Sequence, residues 1–431
     1  MSRLFRSLAI AVLTLVPGVA QGDSVSPPEH VAVAPDLAVA ASGEIALLWV
    51  DRSPELSGEN PNQDRHLSYT DLYVAISRDG GESFGPPAKV NRDVGVIWGQ
   101  SVSRPRIVSS PTGTWHVSYA ANEMHPTRGK AALTIHYTRS TDAGVTFEPP
   151  HRLSTLTDTD MSHIIHGGYM SAAAFGTLTS SQDGRVYVAW IDTRWMSDDI
   201  DTGALYTAMS QDDGQTFSTE KELMKVGICP CCQMMATADA DSNIYIGLRQ
   251  VMEDGTRQSM VARLDAGETE IASMGETGTA PWKINGCPLK PTVVATHGDS
   301  VFMAVYSGGE KEPGVFVSHS TDNGRTFARA VPAHPDALVS DAPSIAANDE
   351  YVMVAWHAKT DGPRSVFYRR YDLTGAPVGK IMELGTGDAI AEDPVLAVRP
   401  DGKFLLAWLQ DDGIHTAVLP DDTGETDVGM R

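Results

Sequence analysis

The sequence predicts an all-β fold, a β-propeller of four-stranded blades, and three observations carry that expectation. The octet pattern S-x-D-x-G-x-[ST]-F occurs four times, as SRDGGESF from Ser77, STDAGVTF from Ser140, SQDDGQTF from Ser210 and STDNGRTF from Ser320. A strand motif rich in β-branched and aromatic residues recurs seven times, about 50 to 70 residues apart. The chain between them is broken by 39 glycines and 26 prolines, which favours short strands and turns over helices. A sheet unit repeated at that period buries its faces by stacking on copies of itself around an axis.

The chain opens MSRLFRSLAIAVLTLVPGVAQG. Arg3 and Arg6, an apolar run over 8–16 and small residues at Gly18, Ala20 and Gly22 read as a signal peptide over 1–22. The run is too short to span a bilayer. No cysteine follows the expected cut to take a lipid anchor, and no second long apolar stretch occurs. Residues 23–431 are therefore expected to form a single propeller domain, in the periplasm or outside the cell. The formal net charge is −22 before the leader removes two more positive charges. So acidic a surface argues against nucleic acid and anionic membranes as partners.

Each member of the octet has a place in a tight hairpin. The Asp carboxylate caps backbone N–H groups across the turn, Gly takes a positive φ, and the closing Phe returns to the apolar layer. The strand motifs are EIALLWVD, TWHVSYA, RVYVAWID, NIYIGLR, SVFMAVYS, EYVMVAWH and KFLLAWLQ. Before each comes a shorter apolar strand, often opened by proline, as in RPRIV, KPTVV, APSIA and DPVLA. One unit is then strand, turn, strand, variable loop, strand, Asp-type turn, strand. Units four and six end in degenerate hairpins (RLDAGETE and RYDLTGAP), so seven blades are expected with six as the alternative. The last unit, from Glu392 to about Leu419, shows three strands, and EHVAVA is expected to supply its fourth and close the ring. Trp49, Trp190, Trp356 and Trp408 are expected to fill blades rather than stack on a ligand.

If the first strand of each unit lines the axis, two sets of segments share the face opposite the octets. One follows the second strands: Asp51-Arg52, Asn122 to His125, Asp192 to Arg194, Arg249, Tyr306 and His357. The other precedes the innermost strands: the segment around Arg104, the segment around His163 and His166, GICPCCQMM, WKINGCPLK, Asp341 and Glu392-Asp393. Loops that converge on a ring axis are where small ligands usually sit.

The octets are Asp boxes, and by them the chain resembles the sialidase-like (BNR-repeat) propellers over nearly all of residues 23–431. That resemblance implies arginines that clamp an acidic sugar, an aspartic acid as general acid and base, and a tyrosine nucleophile activated by a glutamate. It places Arg52 near a family arginine and Asp64 or Asp71 in the loop that carries the acid, with Asp51 and Asp192 as further carboxyls at strand ends. Arg194 and Arg249 would complete the clamp, and Glu123 with Tyr169 or Tyr306 would form the nucleophile pair. The family's first strand carries Arg-Ile-Pro, whereas the matching stretch here, VAPDLAV, has no arginine. Arg104 in RPRIV has the local look of that motif one blade later. Another acidic or sulfated glycan, or a binding role without catalysis, fits the departure.

The segment VGICPCCQMMA stands outside the repeat. Cys229, Cys231 and Cys232 lie in the connection into the fourth unit and Cys287 in the connection into the fifth. Neighbouring connections meet near an axis, so the four cysteines are expected to cluster. An even count in an oxidising compartment points first to two disulfides, with Cys287 bonded to one of the three. The alternative is a metal site for copper or zinc, with His163 and His166 or the adjacent methionines as further ligands. A redox-active vicinal disulfide is a third reading. The sequence therefore supports a glycoside hydrolase on acidic glycans without a cofactor, or a non-catalytic binding or metal-handling propeller centred on the cysteines. A glycan or small molecule on the axial face is the expected ligand.

Overall fold

The computed structural model describes residues 24–53, 55, 70–127, 129–157, 173–279, 282–284, 286, 288–309, 313–384, 389–411 and 413–420. The leader, Asp64, His163, His166, Tyr169 and Cys287 lie outside them. Among the described residues, no helix is long and apolar enough to cross a membrane.

Among the described residues, seven inner strands form a closed ring. Ala32–Val39, Arg106–Ser109, Ala173–Ser180, Met235–Ala238, Thr292–His297, Val339–Ala347 and Ala391–Val398 touch in that order, and the last returns to the first. From each, an antiparallel sheet runs outward. The second strands are Ile45–Asp51, Trp115–Met124, Val186–Asp192, Ile244–Val251, Ser300–Ser307, Val352–Lys359 and Phe404–Gln410. They are buried almost throughout, because neighbouring blades cover both faces. That explains why the seven motifs read as continuous apolar runs rather than as alternating ones. Trp49, Trp115, Trp190, Trp356 and Trp408 are fully buried within these blades. Blades 3 and 4 share one hydrogen-bonded sheet through the pairing of Ile228 with Gln250.

Among the described residues blade 7 has three strands, and EHVAVA does not supply a fourth. Its Ala32 and Val33 pair with Asp51 and Val50 inside blade 1. The segment just before it reaches blade 7 instead, where the Val25 N–H donates to the Ile414 carbonyl at 2.7 Å and Ser26 Oγ accepts the Ile414 N–H at 3.1 Å. The alternating pattern of EHVAVA fits either strand, and the continuation into Leu37 and Val39 decides for blade 1.

All four octets form the same turn between third and fourth strands. In the second, Ser140 Oγ donates to Asp142 Oδ1 at 2.7 Å and accepts the Gly144 N–H at 3.0 Å. Asp142 then accepts the Thr146 N–H at 2.9 Å and its hydroxyl at 2.6 Å. Ser77, Ser210 and Ser320 repeat this network. Each box also packs on the blade before it: Asp213 Oδ2 accepts the Thr112 and Thr114 hydroxyls of blade 2 at 2.8 and 2.7 Å.

At the opposite end the inner strands bulge. Register slips fall between Val33 and Asp36, Ala174 and Thr177, Asp341 and Ser344, and Glu392 and Val395. Ala34, Phe175, Ala342 and Asp393 take positive φ there, a strained state for residues with a Cβ. The bulges re-aim the strand mouths toward the axis, and strain of this kind gathers where ligands bind.

Candidate functional site

The mouths of the inner strands of blades 1, 2, 4, 5, 6 and 7 converge on a cavity of about 440 Å³. Its charged lining is balanced: Arg104, Arg106, Lys290 and Arg364 against Asp36, Asp341, Glu392 and Asp393, with His357 beside them. Most of these groups are paired within the wall. Lys290 donates to Asp341, Arg364 to Glu392 and the Ser101 hydroxyl to Asp393. Arg106 Nη1 lies 3.3 Å from Asp36 Oδ1.

Arg104 is the exception. It is 9% exposed, its Nε is buried without a partner, and among the described residues the guanidinium has no hydrogen bond or ion pair. Burial lowers its pKa, opposed by the charges of Asp393 and Asp36 at longer range. A buried guanidinium facing a cavity is completed by an anion.

Two further groups are tuned by burial. Desolvation raises the Asp36 carboxyl above its ordinary range, although Arg106, Arg104 and the Ile107 N–H pull the other way. Desolvation lowers His357, against the pull of Asp393 and Asp341. Its Nδ1 accepts the Asp393 N–H at 3.2 Å, which puts the imidazole proton on Nε2.

Of the residues expected from sequence, the cavity gathers Arg104, His357, Asp341, Glu392 and Asp393. The others stand elsewhere, and their contacts say why. Arg194 Nε and Nη2 grip Asp192 at 2.9 and 2.7 Å while Nη1 donates to Glu220 at 2.6 Å. It is a structural knot in blade 3, leaving neither a free clamp nor a free Asp192 carboxyl. Arg249 is 2% exposed and donates to the Tyr306 carbonyl at 2.7 Å, beneath Trp282. Neither arginine can serve as the expected clamp while so engaged. Arg52 is half-buried with a buried, unpartnered Nε, outside the cavity lining.

Asp51 accepts the Val31 and Ser53 N–H groups at 2.9 and 3.0 Å. Asp71 is fully buried and accepts Lys89 Nζ, Asn91 Nδ2 and the Gly95 N–H at 2.5, 2.7 and 2.9 Å. Both organise loops rather than face a ligand. Glu123 is held by His136 Nε2 at 2.6 Å, Thr134 at 3.0 Å and Arg152 at 3.0 Å, all within blade 2. Tyr306 sits in blade 5 against Trp282 with Lys290 over its ring, so no Glu123–Tyr306 pair forms.

Sequence reasoning missed Asp36 and Arg364, and named the segments that carry Arg106 and Lys290 without singling out either residue. The signal that could have found most of the lining is local. Asp36 follows Pro35, Arg104 and Arg106 flank Pro105, Lys290 precedes Pro291, and Asp393 precedes Pro394. A charged residue beside the proline that opens an inner strand marks the wall.

The cysteine segment borders this cavity, since Gln233, Met235, Pro288 and Leu289 share its lining. Cys229, Cys231 and Cys232 are buried, with their sulfurs all within 4.8 Å. Cys229 Sγ and Cys232 Sγ lie 3.4 Å apart, well beyond a disulfide bond length. The expected disulfides are therefore not formed among these three, and any bond to Cys287 involves a residue outside the described ones. Hydrogen bonding with Cys231 lowers the Cys229 thiol, but Cys232 and burial outweigh it and push it up to about 12.

The sequence matches no family model and no curated protein. Solved structures do resemble the fold. A protein of unknown function from Dyadobacter fermentans shares 17% identity at a TM-score of 0.52, over 82% of this chain and 99% of that one. The GH93 α-L-arabinofuranosidase of Fusarium graminearum, solved with arabinobiose, shares 12% at a TM-score of 0.50, over 92% and 96%. A Hadza microbial sialidase shares 17% at a TM-score of 0.49, over 82% and 74%. At these identities the likeness is one of fold.

Proposed function

We propose that this sialidase-like propeller binds an acidic glycan in its axial cavity, with Arg104 as the anchor for the sugar's carboxylate or sulfate. The observation that carries the reading is the Arg104 guanidinium, nine-tenths buried and, among the described residues, unpaired at a cavity where the other arginines and the lysine of the lining face carboxylates. A planar guanidinium meets a carboxylate with two parallel hydrogen bonds, and a dry wall strengthens them.

The same cavity offers carboxyls for glycoside hydrolysis. Asp36, raised by burial, would protonate the leaving oxygen. Asp393, steadied by Ser101 and 4.0 Å from His357 in the same lining, would act as base or nucleophile. Water then supplies the group that replaces the leaving sugar. One observation favours binding without turnover: Asp36 Oδ2 already accepts the Ile107 N–H at 2.9 Å, a structural duty that hydrolysis would have to share.

Calorimetry with sialic acid, hexuronic acids, sulfated sugars and neutral analogues tests the binding, and matching aryl glycosides test turnover. Arg104→Ala is expected to weaken acidic-sugar binding by roughly 10- to 150-fold, the loss of about 1.5–3 kcal/mol for a charge-assisted contact. Unchanged affinity in that variant, or equal affinity for neutral sugars, sinks the assignment. Turnover abolished by Asp36→Asn with binding retained supports hydrolysis, and binding without turnover across the panel supports the second reading.

A further inference from the structure

We infer that Gln233 and His357 set the specificity of the axial cavity. With Arg104 they hold one compact, singly charged, polyhydroxylated acid from three sides. Arg104 takes its charge, and the other two read its neutral hydroxyl or acylamino groups. This deepens the acidic-ligand reading above and rests on it.

The placement carries the inference. Arg104 and Gln233 each stand two residues before an inner strand, those of blades 2 and 4, and His357 lies opposite Asp341 in the second strand of blade 6. All three line the cavity, so its polar contacts come from alternate blades around the axis. They are 9%, 6% and 8% exposed. Among the described residues the Gln233 amide makes no hydrogen bond, yet neither of its polar atoms is sealed from the cavity. His357 is engaged on one side only. Its Nδ1 accepts the Asp393 N–H at 3.2 Å, and among the described residues nothing accepts from Nε2. Polar groups withdrawn from bulk water and left unpaired by the fold are complementary to a ligand instead.

The lining also fixes the class of ligand. Arg106, Lys290 and Arg364 are matched to Asp36, Asp341 and Glu392, so Arg104 can neutralise one acid group. A second would meet those carboxylates and Asp393 with no cation left for it. The Gln233 amide donates and accepts, which suits a hydroxyl or an acylamino group, and the His357 Nε2–H needs an oxygen acceptor. The volume of about 440 Å³ is toward the small end of ligand sites, roughly 300–1,000 Å³, and admits a single sugar acid.

Both readers are fixed by the following blade before any ligand arrives. The Gln233 carbonyl accepts the Thr292 N–H of blade 5 at 3.2 Å, as the His357 ring accepts the Asp393 N–H of blade 7. Groups held in this way are presented with little ordering cost at binding.

The test is calorimetry on the full chain with glucuronic acid, N-acetylneuraminic acid, a sulfated glucuronic acid and cyclohexanecarboxylate, which keeps the ring and the acid but has no hydroxyls. The wild type is expected to bind one of the two singly charged sugar acids about 10-fold or more above cyclohexanecarboxylate, and the sulfated sugar more weakly. Gln233→Leu and His357→Leu should each lower the sugar-acid affinity about 10-fold and leave cyclohexanecarboxylate unchanged, whereas Arg104→Ala weakens both acids. Equal binding of sugar acid and cyclohexanecarboxylate by the wild type overturns the inference, and so do leucine variants that weaken both acids alike. Tighter binding of the sulfated sugar overturns the singly charged class. Should a leucine variant not fold, Gln233→Met and the wild-type preference decide. No binding of any acid overturns this inference and the acidic-ligand reading together. An Arg104→Ala variant without effect, beside leucine variants that keep theirs, overturns the anchor and supports the two readers.

Discussion

Asp36 Oδ2 accepts the backbone N–H of Ile107 at 2.9 Å, joining the inner strand of blade 1 to that of blade 2. The same reach recurs around the ring: Thr177 Oγ1 accepts the Ala236 N–H at 2.7 Å, and Ser344 Oγ accepts the Leu396 N–H at 3.0 Å. In each case the acceptor is the second residue past a positive-φ residue, at Ala34, Phe175 and Ala342. The bulge therefore does two things at once. It turns the strand mouth toward the cavity, and it aims one polar side chain at the next blade, where no backbone ladder exists. Thr177→Val keeps the shape and removes the acceptor, leaving a buried N–H unpaired. A loss of about 1–3 kcal/mol is expected, read as a lower denaturation midpoint in urea. An unchanged midpoint would mean the stitches are incidental to ring closure.

The octets and the seven apolar motifs made the architecture legible, because each is local chemistry repeated at a fixed period. The site was legible only in part. Arg104 could be singled out because it sits in RPRIV, yet its neighbours come from strands scattered along the whole chain. The Ser101–Asp393 contact joins residues 292 positions apart. Strand-end arginines such as Arg194 and Arg249 looked like a clamp because a sequence shows charge but not partners. Asp192 and Glu220 had already claimed one, and the Tyr306 carbonyl the other.

Arg194 offers a direct check on that distinction. Its removal leaves Asp192, 1% exposed, as a buried charge without its counter-ion. Breaking a buried pair costs about 3–5 kcal/mol, so Arg194→Ala is expected to lower stability by that order. Acidic-sugar affinity in the axial cavity should stay at the wild-type value. A variant that keeps its stability and loses ligand binding would restore Arg194 to the clamp.

Glu123 gives a pH dependence with a defined sign. Burial raises its carboxyl, but hydrogen bonds from His136, Thr134 and Arg152 outweigh that and bring it down to about 2, from an ordinary 4.5. A carboxyl depressed in the folded state contributes stability that is full above 4.5 and is lost as pH falls toward 2. Denaturation midpoints followed across that window should drop more steeply in the wild type than in Glu123→Gln, which has no proton to take up. Parallel curves would show that the His136–Glu123 contact is not maintained in solution.

The Asp boxes make the sharpest packing prediction. Gly214 and Gly184 share a left-handed backbone, with φ of 77° and 81°, so alanine at either position carries the same conformational penalty of about 1–2 kcal/mol. Their surroundings differ. A Cβ on Gly184 meets nothing within 4 Å, whereas one on Gly214 would fall 1.8 Å from Tyr137 Oη and 3.1 Å from His116 Nδ1. Tyr137 is fully buried and hydrogen-bonded to His116 at 2.6 Å, so it cannot swing aside. Gly184→Ala should therefore cost only the backbone term, while Gly214→Ala adds an overpacking penalty of about 1–3 kcal/mol. The comparison needs only two thermal unfolding curves. Equal shifts would show that the box of blade 3 does not seat against blade 2 as tightly as this geometry requires, and that the octets act as turns alone rather than as joints between blades.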